Sequence, residues 1–132
     1  MFVHAEGKND NLNDGDFSCF IRLGTDFVSN YYEYEISLKA TPHGATSQSA
    51  IWPSTNEIDI AFEEFQKIKQ IRNSNIRQGT HSNISDPFIN YLANGKKIQI
   101  VGNPNLSKIK TIMIGIRNPK KTSLESIDDG LV

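Results

Sequence analysis

Apolar and polar residues trade places at every second position over several short stretches of the chain, the period of a strand with one face in a core. Phe17, Cys19, Ile21 and Leu23 fall on one side of such a stretch, and Ser18, Phe20 and Arg22 on the other. Further on, Tyr32, Tyr34, Ile36 and Leu38 alternate with Tyr31, Glu33, Glu35, Ser37 and Lys39. Residues 2–6, 97–101 and 111–117 read the same way, with Ile112, Ile114 and Ile116 expected inward. "NEIDIAFEEFQKIKQIRN" fits two periods at once. It divides into a strand over 56–61 and a helix over 62–73 that buries Phe62, Phe65, Ile68 and Ile71, with Glu63 and Lys67 paired one turn apart on the solvent side.

Between these stretches the chain is rich in Gly, Pro, Asn, Asp and Ser, residues that supply turn backbone angles or bond their own main chain. "GKNDNLNDGD", "TPHGATSQSAIWPST", "RNSNIRQGTHSNISDP", "NPNL" and "RNPKKTSLES" read as loops, and "NGKK" at 94–97 as a turn leading into a strand. About six short strands and one helix, spaced by turns, predict a mainly β chain: an antiparallel β-sandwich, jelly-roll-like, with one short helix.

Length and composition narrow the class. At 132 residues the chain suits a single β-rich domain over 1–132 with a modest core. Hydrophobic residues at 37% and charged residues at 22% fit a water-soluble globular module. No apolar run approaches the roughly 20 residues of a membrane-crossing helix. Fourteen basic against 15 acidic residues leave a net charge of -1, which offers no field for nucleic acid or anionic lipid. Cys19 has no second cysteine to pair with and reads as a small buried thiol rather than a nucleophile. "MFVHAEG" begins a strand without lead-in, and "SIDDGLV" stops after a turn signal where another strand could follow. Both suggest a fragment of a larger chain, lacking a terminal strand.

The sharpest enzymatic reading is glycoside hydrolysis. "IWPSTNEIDIAFEE" resembles the catalytic strand of the laminarinase-type sandwich glycosidases, with Glu57 and Asp59 at the first two acids. Ala61 and Phe62 stand where the third is required, and Glu63 comes one residue late. A retaining pair sits about 5–5.5 Å apart, whereas six strand residues would separate Glu57 from Glu63 by about 20 Å. The alternative is a charged solvent face. Glu33 and Glu35, about 7 Å apart along one strand face, are too distant to share a proton and read as exposed. Tyr32 and Tyr34 continue the Ile36 and Leu38 face and read as buried, which leaves Tyr31 and Trp52 as candidates for stacking on a sugar. An EF-hand register from Asp10 fails at Leu12 and Ile21, so that loop reads as turn chemistry. His4, His43 and His81 have no metal-ligand spacing, and no phosphate-binding glycine motif occurs. Arg22 and Asp26 flank a Leu-Gly-Thr turn, which a bond between them or to nearby carbonyls would pin.

Taken in order, "MFVHAEG", "LNDGDFSCFIRLGTDFVSNYYEYEISL", "IWPSTNEIDI", "KIKQIRN" and "GIRNPKK" followed by "DDG" resemble a segment of the SprA family, also called Sov. These are giant gliding-motility proteins of the type 9 secretion system. The resemblance covers nearly the whole chain. It implies a fragment of an outer-membrane translocon that exports proteins to the cell surface, with the rest of that chain and other secretion-system proteins as partners. It also implies no catalytic residue, no cofactor, no nucleic acid and no direct membrane span within this segment. Arg22, Gly24, Asp26, Asn30, Tyr31, Tyr32, Tyr34, Trp52, Pro53, Asn56 and Asn118 then become architectural or contact residues. In that family a further strand follows the Asp-Asp-Gly. A carbohydrate-binding or glycosidase-like sandwich is the alternative.

Overall fold

A computed structural model describes residues 1–8 and 11–119 and the backbone of 130–131. Residue Asp10 and most of the expected loop 117–126 lie outside the described residues. In chain order the strands are β1 (Glu6–Gly7), β2 (Ser18–Gly24), β3 (Tyr31–Ser37), β4 (Phe88–Tyr91), β5 (Lys97–Val101), β6 (Thr111–Arg117) and β7 (Gly130–Leu131). Two α-helices, α1 (Gln48–Ile51) and α2 (Phe62–Arg77), lie between β3 and β4 in the sequence. The fold is mainly β and antiparallel, as the alternation predicts. One sheet has the order β4-β5-β3-β2-β6, and a two-stranded ribbon pairs β1 with β7.

The chain forms two compact units. The first holds residues 1–19, 36–59 and 115–132, and the second 20–35 and 60–114. In the second unit β5 pairs with both neighbours, Tyr32 lying opposite Ile100 and Tyr34 opposite Ile98, with Phe88 and Asn90 continuing the same rows on β4. Tyr32, Tyr34, Ile98 and Ile100 are buried, and α2 sets Phe65 against Tyr32 with ring centroids 5.1 Å apart. Strand β4, whose "FINY" follows a long polar run, is not among the expected strands, but the turn at "NGKK" is present: Gly95 adopts φ +80 and closes the β4–β5 hairpin through the Leu92 carbonyl.

Helix α2 runs four residues past the expected end. Gly79, at φ +74, donates to the Ile76 carbonyl, the left-handed ending that glycine permits without strain. Its buried stripe is Phe65, Ile68 and Arg72, spaced three and four apart. Phe62 and Ile71, expected inside, are exposed because each lies about 90° around the helix from the centre of this stripe. Lys67 pairs with Glu64 at 2.7 Å rather than with Glu63. Ile112, Ile114 and Ile116 are also exposed. Alternation reveals that a strand has two faces but not which one is covered. On β6, an edge strand of the sheet, the half-buried positions are Thr111, Met113, Gly115 and Arg117.

In the first unit the expected strand over 2–6 shrinks to an isolated bridge between Phe2 and Glu57 and the short β1. The expected strand over 56–61 does not form. Ser54–Asn56 is a single 3₁₀ turn entered from Pro53, and Glu57 forms an isolated bridge to Phe2 rather than a strand. The local physics favours this outcome: Pro53 fixes φ near -65°, and its carbonyl accepts the Asn56 N–H at 2.9 Å. Cys19 is buried, as expected. Asp16 accepts the Asn13 N–H within its own turn, while Asp14 accepts the N–H of Ala40, far along the chain.

Candidate functional site

The residues that stood out in the sequence collect most densely where β2 turns into β3. Gly24 ends β2, and residues 25–30 form the turn. Asp26 organises it, its carboxylate accepting the N–H groups of Val28 (2.8 Å), Ser29 (2.5 Å) and Asn30 (3.1 Å) and the Asn30 side-chain amide (3.1 Å). These donors, the Ser29 N–H foremost, hold the Asp26 carboxyl down at about 2 against an ordinary 3.8. Asn30 passes the connection on, accepting the N–H of Asn103 at 2.9 Å, just beyond β5.

The turn closes around two glycines. A Cβ on Gly24 would stand 2.1 Å from the Asn30 carbonyl oxygen, and one on Gly102 would stand 1.9 Å from that of Ser29. Neither position has room for a side chain. The Gly24 carbonyl in turn accepts the Lys110 N–H and the Thr111 hydroxyl.

Arg22 lies on the adjoining strand face. Its Nε and Nη2 both donate to Glu33 Oε2, at 2.7 and 2.6 Å, and its Nη1 donates to the Phe27 carbonyl. The guanidinium carbon stands 3.9 Å from the centroid of the Tyr31 ring, a cation–π stack. The expected pinning of the turn by Arg22 through a nearby carbonyl is therefore present, while Asp26 works through main-chain N–H groups.

Two expectations about this face are overturned. Glu33 is 1% exposed and Glu35 is also buried, paired with Lys97 at 2.6 Å directly across the strand. Tyr31, expected to be open for stacking, is 7% exposed, covered by Arg22 and touched at its hydroxyl by the Gln99 amide. The physical reason is that opposite charges in adjacent strands allow a polar face to be covered, which alternation within one strand cannot reveal. The partners Lys97 and Gln99 were legible only as strand residues. Their register opposite Glu35 and Glu33 supplies the missing information.

Tyr32 and Tyr34 are buried, as expected. The Tyr32 hydroxyl donates to the Pro104 carbonyl at 3.3 Å, and burial raises its pKa. In the other unit, Asn56 is fully buried and makes a two-point bond to Lys39. Its Oδ1 accepts the Lys39 N–H at 2.7 Å, and its Nδ2 donates to the Lys39 carbonyl at 2.9 Å. One side-chain amide thus does the work of a paired strand residue. Trp52, at 46% exposed, is open to solvent, its ring 5.7 Å from that of His4. The His4 ring also bonds the Ile51 carbonyl and the Glu6 carboxylate, and this bond to His4 is the main cause of the lowered Glu6 pKa.

The acids of the glycosidase-like stretch are dispersed. Glu57 and Asp59 lie in irregular chain, and Glu63 is in the first turn of α2. No group of three or more metal-ligating side chains is placed to hold an ion among the described residues, and no described helix is long and apolar enough to cross a membrane. The arrangement binds one segment to another: Arg22 to Glu33 on the next strand, Glu35 to Lys97, Asn30 to Asn103 and Asn56 to Lys39.

Curated proteins give no match to this chain. The family model SprA_N, described as motility related/secretion protein, matches residues 1–129, so the pinned turn, the paired sheet face and the Asn56 bridge all fall within it. The chain belongs to this motility-related and secretion protein family.

Proposed function

We propose that this chain is a noncatalytic structural module of a type 9 secretion outer-membrane translocon, contributing to protein export to the cell surface and to gliding motility. The observation that carries this reading is the family match over 1–129, since that family is one of motility and secretion. The use of the chemically suggestive groups supports the noncatalytic part. Arg22 and Glu33, Lys97 and Glu35, and Asn56 and Lys39 are committed to one another in bonds that join strands and loops. In this role the module's partners are the remainder of the translocon chain and other secretion-system proteins, at the outer membrane or cell surface.

The test is allelic replacement in a bacterium carrying the gene. Arg22→Ala with Glu33→Ala, which breaks the architecture, should abolish export of a reporter cargo and gliding, while Glu57→Gln and Asp59→Asn should leave both at the parental level. Loss of export in the last two variants, with the protein still at its normal abundance, would overturn the noncatalytic reading.

A carbohydrate-binding role keeps one specific support, the exposed ring of Trp52. Glycan-array binding that disappears in Trp52→Ala would establish it beside the structural role.

A further inference from the structure

Arg72, on α2, is buried to 1% exposure, yet every acceptor it reaches among the described residues is neutral: the Gly102 and Ile84 carbonyls and the Asn73 side-chain oxygen. Lys69, one turn earlier, directs its ammonium at the Pro104 carbonyl, 2.8 Å away. Burial, and then the charge of Arg72, lower the Lys69 pKa. A buried cation and a half-buried one therefore lie close together, with no ion pair between either of them and a carboxylate among the described residues. Buried charges are ordinarily paired.

Beside them opens a cleft of about 360 Å³, within the size range of small-ligand sites. Lys69 lines it together with Gln66, Gln70 and Asn73 of α2 and Asn105 and Ser107 of the segment after β5. Among the described residues, no Asp or Glu contributes to the wall. Gln66, Gln70 and Asn73, spaced four and three apart, stand on one side of the helix. All six side chains carry N–H or O–H donors.

We propose that this cleft is a carboxylate-binding site, in which the Lys69 ammonium supplies the counter-charge and the surrounding amides and hydroxyl orient the two oxygens. Lys69, the one cation lining the cleft among the described residues, matches a singly charged acid group better than a phosphate dianion. The buried Arg72, whose charge already acts on Lys69, adds to the attraction without needing to touch the ligand. The acid group can come from a free small carboxylate or from a glutamate or aspartate side chain of a bound peptide.

The experiment is a titration of the ¹⁵N-labelled chain, at constant ionic strength, with acetate, with acetyl-Gly-Glu-Gly-amide and with the glutamine analogue of that peptide. The site is supported by saturable shifts of the Lys69, Asn73 and Ser107 backbone resonances with acetate or the glutamate peptide, but not the glutamine peptide. Saturation by acetate identifies a free carboxylate as sufficient, whereas saturation by the glutamate peptide alone identifies a peptide side chain. Lys69→Gln should weaken binding by about tenfold or more, and Lys69→Arg should retain it. Ser107→Ala, at an exposed position, should weaken it several-fold in a chain whose remaining spectrum is unchanged. Equal binding of the glutamine peptide, unaltered affinity in Lys69→Gln, or shifts that never saturate would overturn the assignment.

Discussion

Arg22 grips Glu33 through two nitrogens, at 2.7 and 2.6 Å, on a carboxylate that is almost wholly buried. Removing one partner strands the other, and breaking a buried pair in this way costs about 3 kcal/mol or more. Glu33→Gln and Arg22→Ala are each expected to lower the melting temperature by several degrees. Arg22→Lys should recover only part of the loss, because an ammonium can neither donate from two fixed nitrogens nor stack as a plane on Tyr31. Thermal unfolding of the two single variants and the double variant measures the coupling. A double variant as unstable as the sum of the singles would contradict the pairing.

The Asp26 carboxyl, held at about 2 in the folded chain against 3.8 ordinarily, makes stability depend on acid. A lowered folded-state pKa stabilises the fold above the unfolded value, and the effect is lost as pH falls through the folded one. The Asp26 contribution should therefore be complete above about pH 5 and fade between about pH 4 and pH 2. Chemical denaturation across that window should give a shallower pH slope for Asp26→Asn than for the parent chain.

Asn56 presents one donor and one acceptor to the backbone of Lys39. Asn56→Asp turns the donor into a second acceptor facing the Lys39 carbonyl, and Asn56→Leu leaves both backbone groups without their partner. Each is expected to cost about 1–3 kcal/mol. Denaturant midpoints at neutral pH check this, and the Asp variant should partly recover on acidification as the carboxyl regains a proton.

Much of this was legible in the sequence, though unevenly. Strands β5 and β6 coincide with the alternating runs, and β2 and β3 fall within a residue or two of them, because a period of two is written directly into local order. The burial of Tyr32 and Tyr34 followed from their sharing a face with Ile36. The burial of Tyr31, Glu33 and Glu35 did not follow, because it depends on Arg22 of the neighbouring strand and on residues some 60 or more positions away, Lys97 and Gln99, arriving in register. Trp52 and Asn56 were both singled out as neighbours in one conspicuous stretch, yet one is open and the other sealed. A helical turn entered at Pro53 separates their environments, and strand periodicity could not anticipate it.

Ile112, Ile114 and Ile116 point outward from β6, which lies at the edge of the sheet. Apolar rows on open edges promote strand-to-strand association. Ile114→Lys is expected to raise the soluble concentration of the chain while moving its melting temperature by no more than a degree or two, because the side chain gives up little burial. Light scattering against concentration, beside a thermal melt, would reveal either failure.

Gly24 and Gly102 are seated against the carbonyls of Asn30 and Ser29, and the Gly24 carbonyl is capped by Lys110 and Thr111. This corner cannot mature as the polypeptide leaves the ribosome in order. Residues 22–33 emerge early and must wait, their turn half-built, until synthesis has passed position 111. The part of the second unit that comes first in sequence thus depends for its full set of bonds on residues near that unit's other end.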